Sequence, residues 1–300
     1  MHNRKALFEL TFGGLMLSLS ALAVAFADIG AGGAGFYRML IAAILFYLTL
    51  KWRKVPVRLP SRKAVLLTGL AGVFLAIDLI LWHHSIYIVG PGIGSILTNC
   101  QVFFMTFLGL FLLKEKPSLN FAIAISLAFF GLYLLLAPEM TSDIGTRGVV
   151  YGIVSGLAYA ICVYYLKAAS NLPDGGGDKI AQMFNLSLWA GVVMLGYALL
   201  RGESLAIGDG QTLLMLVIYG VMVQFVGWLL VNRSISHISL GLAGLILLLE
   251  PVITYFVDVV FLHKASSAVQ IGGALLTVGA VYIGSLKPPA KVKMLQEPTT

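Results

Sequence analysis

His83-His84-Ser85-Ile86, running on to Gly92, recurs as Asn232-Arg233-Ser234-Ile235 running on to Gly241, at a constant offset of 149 residues. The same offset pairs Leu97 with Ile246, Gln101 with Glu250, Ser118 with Ser267, Leu127 with Leu276 and Tyr133 with Tyr282. Shared greasiness alone would not hold such a register. Each copy begins and ends in apolar runs long enough to cross a bilayer, so the chain reads as a duplicated membrane unit.

Composition supports this independently. Of 300 residues, 59% are hydrophobic and 11% charged, where a soluble domain carries about 25% charge. At roughly 20 apolar residues per crossing, ten spans are read: 7–27, 31–50, 64–87, 92–113, 119–137, 148–168, 179–200, 212–232, 240–262 and 267–286. Turn-formers or charges separate them, among them Lys51 to Lys63, Gly90-Pro91-Gly92, Lys114-Glu115-Lys116-Pro117 and Pro173 to Gly177. Lipid gives the backbone no hydrogen-bond partner and nothing alternates as barrel strands do, so the spans must be helices. The fold class expected is an all-α integral membrane protein, ten transmembrane helices in two inverted five-helix repeats. Arg4 and Lys5 before the first span, and Ala23-Val24-Ala25-Phe26-Ala27 at its end, also resemble a secretory signal. Removing that span would break the five-plus-five symmetry, so it is read as uncleaved.

Charge sets the orientation. With the N-terminus inside, sixteen Lys and Arg fall on the cytoplasmic side, and only Arg147, Arg201 and Lys264 on the other, with Arg38 inside a span. Both termini are therefore expected in the cytoplasm, and the net charge of +7 reads as topogenic and lipid-facing rather than as a nucleic-acid footprint. An odd number of spans per copy inserts the second copy upside down. Such halves are related by a pseudo-two-fold axis in the membrane plane, the architecture that alternates access to a central site.

These residues resemble the drug/metabolite transporter superfamily, specifically its EamA-type branch of ten-helix bacterial inner-membrane carriers. In the first copy the resemblance lies in Leu81-Trp82-His83-His84-Ser85-Ile86, Asn99-Cys100-Gln101-Val102-Phe103 and Leu112-Leu113-Lys114-Glu115-Lys116-Pro117-Ser118. In the second it lies in Ser239 through Leu249, Glu250-Pro251-Val252 and Gln270-Ile271-Gly272-Gly273. Arg38 sits where the family usually has arginine in its second helix. Two positions depart: Val102 stands where proline is usual in the fourth helix, which puts a kink there in doubt, and Lys264 stands where a glutamate matching Glu115 is common. The resemblance implies domains at 1–137 and 148–286 with a cytoplasmic tail at 287–300. It further implies transport of amino acids or related metabolites, often as export.

Ionisable residues within spans carry whatever chemistry there is, because each costs about 2.5 to 3.5 kcal/mol at a helix centre. Arg38 and Asp78 lie roughly 10 and 13 Å from the same face and are expected to form a buried ion pair that locks the second and third helices, the alternative being an Arg38 that also receives a substrate carboxylate. Glu250 lies mid-span before Pro251, whose missing N–H frees the carbonyl of Leu247. It is the candidate coupling acid, with Asp78 second. The alternative is a permanently protonated Glu250 bonded to a neighbouring helix. Asp258 is read as a mouth residue. Gln224 with Trp228, and Asp78 with Trp82, are i, i+4 pairs that give two helices a polar and indole face. Asn99, Gln101, Tyr159 and Tyr255 complete the candidate site. His83 and His84, adjacent in sequence, point apart and suggest no shared metal. Cys100 and Cys162 read as packing residues, as do the small-residue pairs such as Gly13-Gly14 and Gly272-Gly273.

No nucleotide-binding loop, serine elbow or zinc helix is present, so neither a cofactor nor a metal is expected. The reading is a secondary carrier of a small polar or amphipathic metabolite, with proton coupling open. A passive channel or lipid translocator is the alternative, and an intramembrane enzyme the rival from another class. The partners expected are the solute and the lipid bilayer, with homodimerisation open.

Overall fold

The computed structural model of the protein describes residues 2–115, 118–136, 145–261 and 266–286, and all regular structure in them is helical. Lys116, Pro117, Lys264 and the tail at 287–300, all used in the sequence reading, lie outside the described residues, as does the Asp258 side chain. The helices are α1 (His2–Leu17), α2 (Leu19–Phe26), α3 (Ala31–Trp52), α4 (Arg62–Asn99), α5 (Gln101–Leu112), α6 (Leu119–Leu136) and α7 (Thr146–Ser170). They continue with α8 (Lys179–Leu200), α9 (Gly210–Ile218), a π-helical segment (Tyr219–Gly227), α10 (Trp228–Ile235), α11 (Leu240–Leu247), α12 (Leu249–Phe261) and α13 (Ala268–Leu286). Five stretches are long and apolar enough to cross a membrane: Ala31–Trp52, Arg62–Val89, Thr146–Ser170, Lys179–Leu200 and Gly210–Ile235. Shorter apolar helices occupy Leu97–Leu112, Leu119–Leu135, Leu240–Phe256 and Ala268–Gly284.

The Gly90-Pro91-Gly92 turn is hidden inside α4. Ser155 Oγ on α7 lies 2.6 Å from Asp78 Oδ1 and 3.5 Å from Thr98 Oγ1. A straight helix would hold residues 78 and 98 about 30 Å apart, so α4 doubles back between them. Gly148, one turn from the start of α7, packs on Ile88 and Val89, which puts the reversal just beyond Val89. The helical run is therefore two antiparallel arms, as the sequence implied.

Three of the expected spans are interrupted, and the eighth is re-wound as a π-helix over Tyr219–Gly227. The first breaks at Ser18, whose hydroxyl donates back to the Leu15 carbonyl at 2.7 Å. The ninth breaks at Leu248, where Pro251 removes the bond that would have joined α11 to α12. The fourth breaks at Cys100 although Val102 replaces proline, which corrects the expectation that the kink was doubtful. Here the Cys100 N–H bonds to Leu97 at 3.2 Å in a tighter turn. Gly156 of α7 comes close enough that an added Cβ would lie 2.6 Å from the Thr98 carbonyl oxygen. Close packing of a neighbouring helix does at Cys100 what proline does near Leu248.

Packing exchanges the two halves. α3 lies on α8, α6 on α13 and α5 on α11, while the α4–α7 and α4–α8 pairings are matched by α1 on the π segment and α10, and by α3 on the π segment and α9. Loops and helix ends sort into two faces. At one, the basic end, the 53–61 loop meets the 171–178 loop through Pro60 and Gly177, and Arg233 of α10 pairs with Glu9 of α1 at 3.0 Å. At the other, Glu203 accepts from the N–H groups of Gly32 and Gly33 at 2.8 and 3.1 Å, capping α3 from the loop after α8. There too Asp209 caps α9 by accepting from the Thr212 N–H and hydroxyl, which holds its carboxyl below the usual carboxylate range. Of the small-residue pairs, Gly13 packs tightly on α10 and Gly273 on α6, whereas Gly272 faces open space.

Candidate functional site

Arg38 is the centre of the site. It is the eighth residue of the 22 in α3, 3% exposed, and its Nε donates to Gln224 Oε1 at 2.8 Å while Nη1 donates to the Tyr219 hydroxyl at 3.0 Å. The guanidinium carbon also lies 4.6 Å from the Tyr219 ring centroid, a cation–π contact. Tyr219 and Gln224 are five residues apart, about 140° around an α-helix. In the π segment, where bonds close from i to i+5, residues five apart stack on one face. The re-winding thus delivers two groups to one arginine. Gly220 makes the approach possible, since an added Cβ would lie 2.6 Å from Ile41 Cβ on α3.

The expected Arg38–Asp78 ion pair is absent, and this is a correction. Asp78 instead accepts from Ser155 at 2.6 Å, and the salt bridges among the described residues are Lys167–Glu115 and Arg233–Glu9. The physical reason is the π segment, which supplies Arg38 with neutral acceptors before Asp78 can reach it. Among the described residues Arg38 is consequently a buried cation with no carboxylate in contact, bonded through Nε and Nη1 alone.

Glu250 opens α12 immediately after the break. Its carboxyl is half-buried and has no hydrogen bond or ion pair among the described residues, and it lies within electrostatic reach of Arg38 and Asp78. Tyr159, four residues beyond Ser155 on the same face of α7, stacks on Trp228 with ring centroids 5.5 Å apart. Its hydroxyl is buried without a partner, as are Gln101 Oε1 and Gln224 Nε2. Unpaired buried polar atoms cost about 1 to 3 kcal/mol each. Gln224 Nε2 lies on the side chain that holds Arg38, and the Tyr159 hydroxyl is within electrostatic reach of Arg38 and Glu250, so two of these atoms face the cation and the free carboxyl and suit a polar guest.

Of the residues chosen from sequence, the structure gathers Arg38, Asp78, Tyr159, Gln224, Trp228 and Glu250. Asn99 and Gln101 flank the break at Cys100. Trp82 is half-buried against His83 rather than beside Gln224. The Tyr255 hydroxyl meets Ser266 Oγ near the start of α13 and does not join the central hydrogen bonds. Two participants were missed. Ser155 was detectable as the i−4 neighbour of Tyr159, but Tyr219 was not, because its alignment with Gln224 exists only in π winding.

A family model described as the EamA-like transporter family matches residues 8–137 and, a second time, 146–286. An uncharacterized transporter of Archaeoglobus fulgidus is 28% identical over 171 residues, which is 57% of this chain and 58% of that protein. The match thus spans under two thirds of that relative's length. A crystal structure of another protein superimposes with a TM-score of 0.82 at 14% identity, covering 95% of this chain and 97% of that one. This last likeness concerns the fold alone.

Proposed function

The chain belongs to the EamA-like transporter family and is a multi-pass membrane protein; from that premise we propose that it is a secondary carrier with ten membrane crossings. Residues 1–137 and 148–286 form two inverted repeats with the 287–300 tail in the cytoplasm. Both termini face the cytoplasm of a bacterial cell whose inner membrane holds the carrier. The observation that carries the reading is Arg38, a buried cation with no carboxylate in contact among the described residues, within electrostatic reach of the unpartnered Glu250. A buried guanidinium with free donors is suited to a solute carboxylate. A free carboxyl at a helix break takes a proton or a solute ammonium group.

An amino acid or related amphipathic metabolite supplies both groups, and the Tyr159–Trp228 pair receives its apolar part. Movement is by alternating access, in the export direction, with Glu250 as the proton-coupling acid and Asp78 as a second protonatable group held by Ser155. The solute and the bilayer are the partners. Because the site is complete within one chain, a homodimer would add no binding group.

Purified protein in vesicles tests the class. A carrier gives saturable uptake that is accelerated by unlabelled solute on the far side, and the solute emerges chemically unchanged. Uptake without such acceleration would favour a channel, and altered solute an enzyme. Topology is read separately: cysteines at Val55 and Ala290 should resist impermeant thiol reagents in intact cells while one at Asp143 reacts, and the reverse pattern would overturn the orientation.

A further inference from the structure

The carboxylate of Glu115, just past α5, is bound by the second half of the chain. Both its carboxylate oxygens accept from the Leu240 N–H, at 2.9 and 2.8 Å, at the start of α11. Lys167 of α7 pairs with it at 2.9 Å and also donates to the Ile238 carbonyl. Both side chains are largely shielded, at 7% and 14% exposure. The clasp therefore joins the fourth span to the sixth and to the turn before the ninth, at the basic end of the bundle. Beneath it α5 and α11 are in close contact: an added Cβ at Gly244 would lie 3.1 Å from Val102 Cα, and one at Gly241 3.0 Å from Thr106 Oγ1. Every residue of α11 is buried.

The repeat offset says what the opposite end would need for the same clasp. Glu115 corresponds to Lys264, Lys167 to Ser18 and Leu240 to Pro91, which has no N–H to donate. The acid, its cation and the capped donor are all missing. Close approach itself is not lost, since Gly241 and Gly244 correspond to Gly92 and Ser95, which are also small.

We infer that Glu115, Lys167 and the Leu240 N–H form a one-sided latch that holds the basic end closed and biases the resting carrier toward opening at the opposite end. The inference rests on alternating access. A latch acts by favouring one of two packings, so removing it moves the population between them without changing either. Its parts lie away from Arg38 and Glu250, and leave the binding groups untouched.

The test uses full-length protein in lipid nanodiscs, without solute, in a background lacking Cys100 and Cys162. Spin labels at Leu112 and His237 report the basic end, and labels at Tyr87 and Phe256 the opposite end. Lys167→Met keeps the volume and removes the charge; Glu115→Gln keeps an acceptor for Leu240 and removes the ion pair. Each should lengthen the Leu112–His237 distance in a growing fraction of molecules and shorten the Tyr87–Phe256 distance in the same fraction. The ratio of the two populations should change about tenfold. Unchanged distances in either folded variant would overturn the latch, as would broadening of both distributions without exchange, which is what a merely structural ion pair would give. Because no solute is used, failure of the latch is separate from failure of the carrier reading, which would show as absent flux in the parent protein.

Discussion

The two repeats break their helices at nearly corresponding places and put different chemistry there. At Cys100 the break is followed by Gln101 and Val102, and at Leu248 by Glu250 and Pro251. Gln101 and Glu250 are matched by the repeat offset, and neither Gln101 Oε1 nor the Glu250 carboxyl has a hydrogen-bond partner among the described residues. Duplication thus preserved the geometry of an interrupted helix while keeping an ionisable group in one copy only. Alternation needs the shared geometry, because both halves must offer equivalent packings. Coupling needs a proton-binding group at one of the two breaks, and Glu250 supplies it in the second copy.

The largest expected effect comes from removing the cation that serves both halves. Arg38→Met takes away the charged donors for a solute carboxylate and strands Gln224, so uptake of carboxylated solutes should fall about a hundredfold or more, the loss of roughly two charge-assisted hydrogen bonds. Uptake rates in vesicles check this; retention of most of the activity would remove Arg38 from binding.

A smaller effect separates Arg38's contacts from its neighbourhood. In a double-mutant cycle on stability in detergent, Arg38→Met with Gln224→Leu should couple by about 1 kcal/mol or more, as contacting residues do. The cycle with Asp78→Asn should come closer to additivity. The reverse ranking would restore the ion pair and discount the π segment.

Smallest is Pro251→Ala. If proline alone made the break near Leu248, the substitution would heal it. Proline makes that break while packing makes the one at Cys100, so the variant should regain the bond to the Leu247 carbonyl, change stability by only about 1 kcal/mol and lower transport less than tenfold. An interruption that persists in the variant would mean that packing, as at Cys100, makes both breaks.

Much of this architecture was legible in the sequence. The constant offset, the apolar run lengths and Gly90-Pro91-Gly92 each have a local cause, so helix, reversal and repeat could all be read from them. Glu250 and Pro251 announced their own break. Unreadable were the features made by neighbours. The turn at Cys100 depends on Gly156 of another helix, and π winding at Tyr219–Gly227 leaves no composition signal. Arg38 and Asp78 share a depth, which sequence gives, but not a contact, which the π segment decides. The sequence reading also left the Glu115–Lys167 bridge unseen, because its residues lie 52 positions apart at different helix ends.

The central claim is that Glu250 couples solute movement to protons, and Glu250→Gln tests it most directly by keeping the shape of the protonated acid. In vesicles the variant should bind solute and exchange it across the membrane at near the parent rate, while losing accumulation driven by a pH gradient. pH-driven accumulation at the parent level would contradict the claim, and loss of both binding and exchange would make Glu250 a substrate ligand or a structural acid instead.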